Sequence, residues 1–291
     1  MKNETLLVTG ASGHLGQLVL NALLKQQPGR KIIATTRKPA TLAKYATQGV
    51  DVRAADFDKV DTLTTAFAGA DRLLLISTDA IGSRLNQHKN AIEAAVKAGV
   101  KHLIYTSFPH ADKSPAFVAP EHIATEELIK KSGLSYTILR NNLYTDNLLG
   151  QLSTAFAMGA FAGTAGKGKI AYVTREDCAD AAAGALASSE SKNTVVDITG
   201  AEALSYEEIA GIAGEIAGHK LPYVDMSEAD FKQALMKSGL PEIWADGYVS
   251  FDVTAKQGLL NQPSEAVLKY TGHQPKSLRA FLQENKASFL K

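Results

Sequence analysis

One segment near the amino terminus, LLVTGASGHLGQLVLNALL, limits the possible folds more than any other part of the chain. Leu6 to Val8 form a short apolar run that stops at Thr9-Gly10. Gly13 and Gly16 follow at three-residue spacing, and an amphipathic run extends from Leu15 to Leu24. This reads as a strand, a tight glycine turn and the N-terminus of a helix. The turn needs a residue that takes positive φ without a Cβ clash, which glycine supplies. The helix start offers unpaired N–H groups and a partial positive charge. Together they make the cradle that holds a dinucleotide pyrophosphate.

The rest of the first half continues the alternation. Strands are expected at Thr5–Val8, Lys31–Thr35, Asp51–Ala54, Arg72–Ile76, His102–Thr106 and Ser135–Leu139. Helices are expected near Leu15–Lys25, Ala40–Gln48, Asp58–Ala68, Asn86–Ala98 and Glu121–Lys131. Such alternation with short links predicts an α/β fold, a parallel sheet with helices on both faces in doubly wound order. Gly49, Gly69, Gly99 and Gly133 fall where helices should end. From about Asn141 the pattern changes. The piece Met158–Lys169 is rich in turn residues, and weak strands stand at Thr194–Ile198 and Leu221–Val224. Ser205 with Glu208 reads as a capping box, and Ser227 with Asp230 as a weaker one. The expected division is a dinucleotide-binding domain over 1–150, with 170–200 returning to it, and a smaller, mostly helical lobe over 151–291. That lobe should lie over the carboxyl edge of the sheet and close a substrate pocket there.

Charge and cysteine content exclude several function classes. With 31 basic and 30 acidic residues the chain has no field for nucleic acid or an anionic membrane. It contains no apolar run of about twenty residues. MKNETLLVTG passes straight into a strand without a secretory core. Cys178 is the only cysteine, so no internal disulfide or cysteine metal cluster is expected. The expectation is a soluble, cytoplasmic protein, monomer or homodimer, acting on a small molecule.

Arg37 ends the second expected strand, in ATTRKP, and no Asp or Glu stands beside it. An acidic residue there would bind the ribose 2′-hydroxyl, whereas an arginine accommodates a 2′-phosphate. The forked donors of Arg37, with Lys38 adding charge, therefore predict NADP(H) over NAD(H). Asp56 follows the third strand and suits either the adenine amino group or the cap of the next helix. Ser77 and Thr78 follow the fourth strand, at the crevice that a dinucleotide crosses. His122 and Glu126 stand at i and i+4 of an expected helix and read as a surface hydrogen-bonded pair. His110, after the fifth strand, is a candidate proton donor. No tyrosine among the nine has a lysine four residues later on an expected helix, so the usual tyrosine acid for alcohol–ketone exchange is missing. Hydride transfer to a quinone or a cationic dye fits better, because it needs no strong protein acid. Phe156, Phe161, Trp244, Tyr248 and Phe251 suit the enclosure of a flat ring, or ordinary core packing.

VTGASGHLG, Arg37, YTSFPHAD, EHIATEELIKKSGLSYTILRNNLYTDN and GKGKIAYVTREDCADAAAGAL together resemble the NmrA-like atypical short-chain dehydrogenases. Within that family the likeness is greatest to the type-2 NADPH:quinone oxidoreductases and triphenylmethane reductases. The resemblance implies a Rossmann-type sheet and an NADP(H) cofactor. It assigns the phosphate loop to Thr9, Gly10, Ser12, Gly13 and His14, continuing into Leu15 and Gly16. Arg37 would meet the 2′-phosphate. Ser77, Thr78 and Asp79, with Asn142 to Asn147, would line the ribose and nicotinamide. Arg175 would reach the cofactor or pocket from the second lobe. Asn142, Tyr144 and His110 are the candidates for polar contact with the acceptor oxygen, a quinone or similar planar molecule. The same family contains non-catalytic redox sensors that bind the dinucleotide and regulate transcription, which is the alternative reading. Isoflavone reductases are less similar, since Lys130 and Lys131 come too late for their helical lysine.

Overall fold

The structure, a computed structural model, describes residues 4–290. Its first half runs β1 (Leu6–Val8), α1 (His14–Gln26), β2 (Ile32–Thr36), α2 (Ala43–Ala46), β3 (Asp51–Ala54), α3 (Val60–Phe67) and β4 (Arg72–Leu75). It continues with α4 (Arg84–Lys97), β5 (His102–Ser107), α5 (Ala119–Lys131) and β6 (Ser135–Asn141). Then come α6 (Asp146–Met158), β7 (Phe161–Gly163), β8 (Lys169–Ile170), α7 (Arg175–Ala187), β9 (Thr194–Ile198) and β10 (Leu204–Ser205). The chain closes with α8 (Tyr206–Ala217), β11 (Tyr223–Asp225), α9 (Glu228–Lys237), α10 (Glu242–Lys256), α11 (Ala266–Thr271), α12 (Leu278–Glu284) and α13 (Lys286–Phe289).

Seven parallel strands form the main sheet in the order β3-β2-β1-β4-β5-β6-β9. The order turns back between β1 and β4, which opens a crevice at their carboxyl ends. The central strands are buried along their whole length on both faces, and most of their residues are apolar. Leu6 and Val8 pack with α1 and the alanine-rich α7 on one face, while Leu7 packs with α3, α4 and α5 on the other. The sheet draws α7 and β9 from beyond residue 150, and β9 pairs with β6 from Thr137↔Thr194 to Asn141↔Ile198. A separate core lies over the carboxyl edge, built from Phe108, Leu148, Phe161, Tyr206, Phe281 and Phe289 among others.

Two expectations from the sequence change. The helix over Ala40–Gln48 is a 3-10 turn at Pro39–Leu42 followed by the single turn α2. Pro39 sets the first turn, and the Thr41 and Thr47 hydroxyls donate to the Lys38 and Lys44 carbonyls, competing with a longer ladder. The turn-rich piece Met158–Lys169 holds β7, which pairs in parallel with β11. The capping box of α8 forms as expected: the Glu208 N–H donates to Ser205 Oγ, and the Glu208 carboxylate accepts from the Ser205 N–H at 2.7 Å. Among the described residues no helix is long and apolar enough to cross a membrane.

Candidate active site

A cavity of about 350 Å³ opens at the crevice between β1 and β4. Its floor is the glycine loop, with Gly10, Ser12, Gly13, His14, Leu15 and Gly16 all in the lining. Gly10 takes φ +58, and the Gly13 N–H donates to the Gly10 carbonyl at 3.0 Å, which turns the chain out of β1 and into α1. Gly13 is the N-cap of α1 and supplies no capping side chain, so the opening N–H groups of the helix are left for an external acceptor. A Cβ on Gly16 would stand 2.7 Å from Ala11 Cα, because the helix crosses the loop at backbone contact. Thr9 does not line the cavity. Its hydroxyl donates to the Leu74 carbonyl and accepts from the Ile76 N–H, which ties β1 to β4 beneath the site.

Arg37 stands at the rim of the same cavity, exposed and in no ion pair among the described residues. Ser12 and Thr36 sit beside it, joined by a 2.9 Å hydroxyl bond. Asp56 lines the wall and also accepts the Asp58 N–H at 3.2 Å, so it serves the turn before α3 while facing the cavity.

Ser77, Thr78 and Asp79 form the opposite wall. They are held from behind by a buried polar layer. The Thr78 N–H donates to His88 Nε2, and its carbonyl accepts from Arg84 Nε at 2.6 Å. Thr78 Oγ1 is buried and has no hydrogen-bond partner among the described residues. Burial, with the Arg84 charge second, pushes the His88 imidazole down to about 3. His122 belongs to this layer and is buried, bonded to Tyr105 Oη at 2.8 Å and to Arg84. Glu126 is also buried. The surface pair expected from the i, i+4 spacing is therefore two interior groups facing different partners, because α5 lies on the sheet rather than in solvent.

A second cavity of about 160 Å³ lies under the lobe. Phe117, Trp244, Tyr248 and Phe251 give it aromatic walls, and Tyr172, Tyr206 and Asp252 add polar groups. Phe117 meets Trp244 and Phe251 edge-on, at centroid distances of 6.0 and 5.5 Å. Of the five aromatic residues singled out in the sequence, Trp244, Tyr248 and Phe251 line this space. Phe156 instead packs on Phe289, and Phe161 on Tyr206. Asn147 lines the cavity and accepts from Arg175 Nη2 at 3.1 Å. Arg175 is otherwise clamped to Asp146 through its main-chain N–H and Nη1, with its guanidinium over the Tyr144 ring. Arg175 thus orients Asn147 and the start of α6.

The three residues expected at the acceptor oxygen are not in the lining of either cavity. Asn142 is buried with both amide ends engaged, donating to the Leu260 carbonyl at 3.0 Å and accepting from the Leu143 N–H. It anchors the 258–261 turn to the end of β6. Tyr144 accepts from Asn141 Nδ2, and burial pushes its phenol above the usual range. His110 takes φ +46 in the turn after β5. Neither cavity is lined by any of the three. Conversely, Asp252 was missed in the sequence, where a carboxylate inside the apolar run YVSFDVTA is its one local signal. It is 2 % exposed, and burial pushes it up to about 6, with the Thr164 N–H and Tyr206 hydroxyl opposing.

Comparison with known proteins agrees with this geometry. The sequence model of an NAD(P)H-binding family matches residues 10–189. Quinone oxidoreductase 2 of Escherichia coli K12 is 42% identical over 91% of this chain and 93% of that protein. A crystal structure of the E. coli NADPH-dependent quinone oxidoreductase complexed with NADPH superposes with a TM-score of 0.92 at 40% identity, covering 96% of this chain and 98% of that one. The Citrobacter sp. triphenylmethane reductase complexed with NADP(H) gives a TM-score of 0.90 at 34% identity, over 96% and 99% of the two chains. The chain belongs to the NAD(P)H-binding family, with NmrA-like reductases among its relatives.

Proposed function

We propose that the protein is an NADPH-dependent oxidoreductase that passes hydride to a quinone or a similar planar, electron-poor acceptor. The observation that carries this reading is one cavity shared by the glycine cradle and the unpaired Arg37 fork, with an aromatic cavity beside the turn that Asn147 and Arg175 hold. Bound NADPH supplies the hydride from its nicotinamide ring. The opening N–H groups of α1 hold the pyrophosphate, and Gly16 lets the backbone approach it. Arg37 receives the 2′-phosphate in a charge-assisted contact. Phe117, Trp244 and Phe251 hold a flat acceptor and keep water from it. Holding two rings in contact contributes most of the rate, since orientation alone reaches about 7–11 kcal/mol in good cases. In this reading the protein is a cytoplasmic enzyme, monomer or homodimer, that works on small molecules.

The test is NADPH oxidation, followed by its near-ultraviolet absorbance, with a panel of quinones and one triphenylmethane dye. NADPH binding is measured alongside by fluorescence. Turnover with a quinone supports the reading. Tight NADPH binding without turnover on any acceptor overturns it in favour of a redox sensor.

A further inference from the structure

Quinone reduction needs a proton as well as a hydride, and the residues first expected to supply it do not line the aromatic cavity. A different set does. We propose that Tyr172 donates the proton to the acceptor oxygen, with Tyr206 and Asp252 behind it as a relay. This rests on the quinone-reductase reading above.

Tyr172 is a cavity wall residue, 8% exposed, and its hydroxyl neighbours that of Tyr206. The Tyr206 hydroxyl is 2.6 Å from Asp252 Oδ1, and Oδ2 of the same carboxyl accepts the Thr164 N–H at 2.8 Å. All three groups belong to the cavity lining, and the chain of hydroxyls ends on a buried acid. No lysine or arginine forms an ion pair with that acid among the described residues, although a buried carboxylate is normally paired with a cation. The groups around it are Tyr206 from α8, Thr164 after β7, Tyr223 and Asp225 of β11, and Tyr172 and Tyr248 at the cavity. Asp225 is the one charged member and it repels the ionised form. A carboxyl so placed stays protonated into weakly acidic solution, and burial is the main cause.

The hydrogen bond to Tyr206 can run either way. With Asp252 ionised, Tyr206 donates to it. With Asp252 protonated, the carboxyl donates to Tyr206, and the Tyr206 O–H is released toward Tyr172. The step balances as follows. NADPH is oxidised and gives the quinone two electrons with one hydrogen. The Tyr172 O–H bond breaks as the hydroquinone O–H forms. Tyr206 returns a proton to Tyr172, Asp252 returns one to Tyr206, and solvent that enters the cavity after the product leaves reprotonates Asp252, which lines it. The sum consumes one proton and yields hydroquinone and NADP+.

The experiment measures kcat and KM for one quinone against pH, and the NADPH dissociation constant, in wild type, Tyr172→Phe, Tyr206→Phe and Asp252→Asn. In wild type, kcat should fall above a pH of about 6. Tyr172→Phe should lower kcat about 10²-fold or more, with KM and NADPH affinity little changed. Tyr206→Phe and Asp252→Asn should remove the alkaline fall. If Asp252→Asn does not fold, Tyr206→Phe decides, since it keeps the ring and loses only the hydroxyl. Wild-type turnover with an unchanged kcat and pH profile in Tyr172→Phe and Tyr206→Phe overturns the relay and leaves the quinone reading standing. No wild-type turnover with any quinone overturns both.

Discussion

The main-chain N–H of Thr78, in the wall of the dinucleotide cavity, donates to Nε2 of His88 at 3.1 Å. The imidazole must therefore be neutral, with its proton on Nδ1 facing Thr125 Oγ1 at 2.9 Å. Thr125 passes the bond on to the Glu121 carbonyl, so the wall is fastened to α5 through one ring.

That tautomer has a pH consequence. Unfolded, the ring titrates near 6.5, whereas in the fold burial and then Arg84 lower it to about 3. Between those values the unfolded chain binds the extra proton. Stability present above pH 6.5 is thus lost as pH falls toward 3, at about 1.4 kcal/mol per unit for this one group. His122 is depressed in the same direction by burial, then by Arg84 and His88. Denaturant unfolding across weakly acidic pH should show this slope. His88→Gln, which keeps an acceptor for the Thr78 N–H, should reduce it by about 1.4 kcal/mol per unit. An unchanged slope refutes the assignment.

Arg37→Ala should separate the two nicotinamide dinucleotides. The side chain is exposed and unpaired among the described residues, so its removal leaves no buried charge behind. A charge-assisted contact contributes about 1.5–3 kcal/mol, so NADPH should bind roughly 10- to 100-fold more weakly. NADH affinity should stay nearly constant. Equal loss for both would show that Arg37 does not meet a 2′-phosphate.

Gly16→Ala tests the cradle. The new methyl group would run into the Gly10 carbonyl oxygen and lie 2.7 Å from Ala11 Cα, and both partners are backbone, so neither has a rotamer to move into. Overpacking of this kind costs about 1–3 kcal/mol. Dinucleotide affinity should fall with stability, because relief requires α1 to move away from the loop. Gly150→Ala is the control, since a Cβ there meets nothing within 4 Å. Equal behaviour of the two variants in thermal unfolding and NADPH titration would show that the close crossing carries no function.

What the sequence reveals here depends on how far apart the interacting residues lie. The β1–glycine loop–α1 unit is written in consecutive residues, and Arg37 is legible because its place at the end of β2 follows from the strand itself. β9 is weakly marked because it is an edge strand with only Ile198 fully buried. Asn142 and Tyr144 are the right residue types in the right stretch, but their direction is set by Leu260 and Asn141. The Asp252–Tyr206–Thr164 cluster spans 88 residues and leaves no periodic trace. The same holds for the interior of α5. Its apolar stripe is weak because polar groups occupy the buried face, and their partners come from other elements.

Glu126 is the sharpest case. It is fully buried, and its carboxylate accepts Arg140 Nε at 2.9 Å, Arg140 Nη2 at 2.7 Å and the Ser107 hydroxyl at 2.7 Å. These bonds join α5 to the carboxyl ends of β5 and β6. Glu126→Gln keeps the shape but turns an N–H₂ group toward the guanidinium, leaving a half-buried cation without its counter-charge. Breaking a buried pair in this way costs about 3–5 kcal/mol. Glu126→Leu combined with Arg140→Met removes both charges and should be less damaging than Glu126→Gln, although the Ser107 hydroxyl then loses its acceptor. Denaturant unfolding of the three proteins decides the point. A loss below about 1 kcal/mol in Glu126→Gln would mean that the pair behaves as a solvated surface contact, and the fastening of α5 to the two strands would have to come from apolar packing around Ile129 and Ile138 alone.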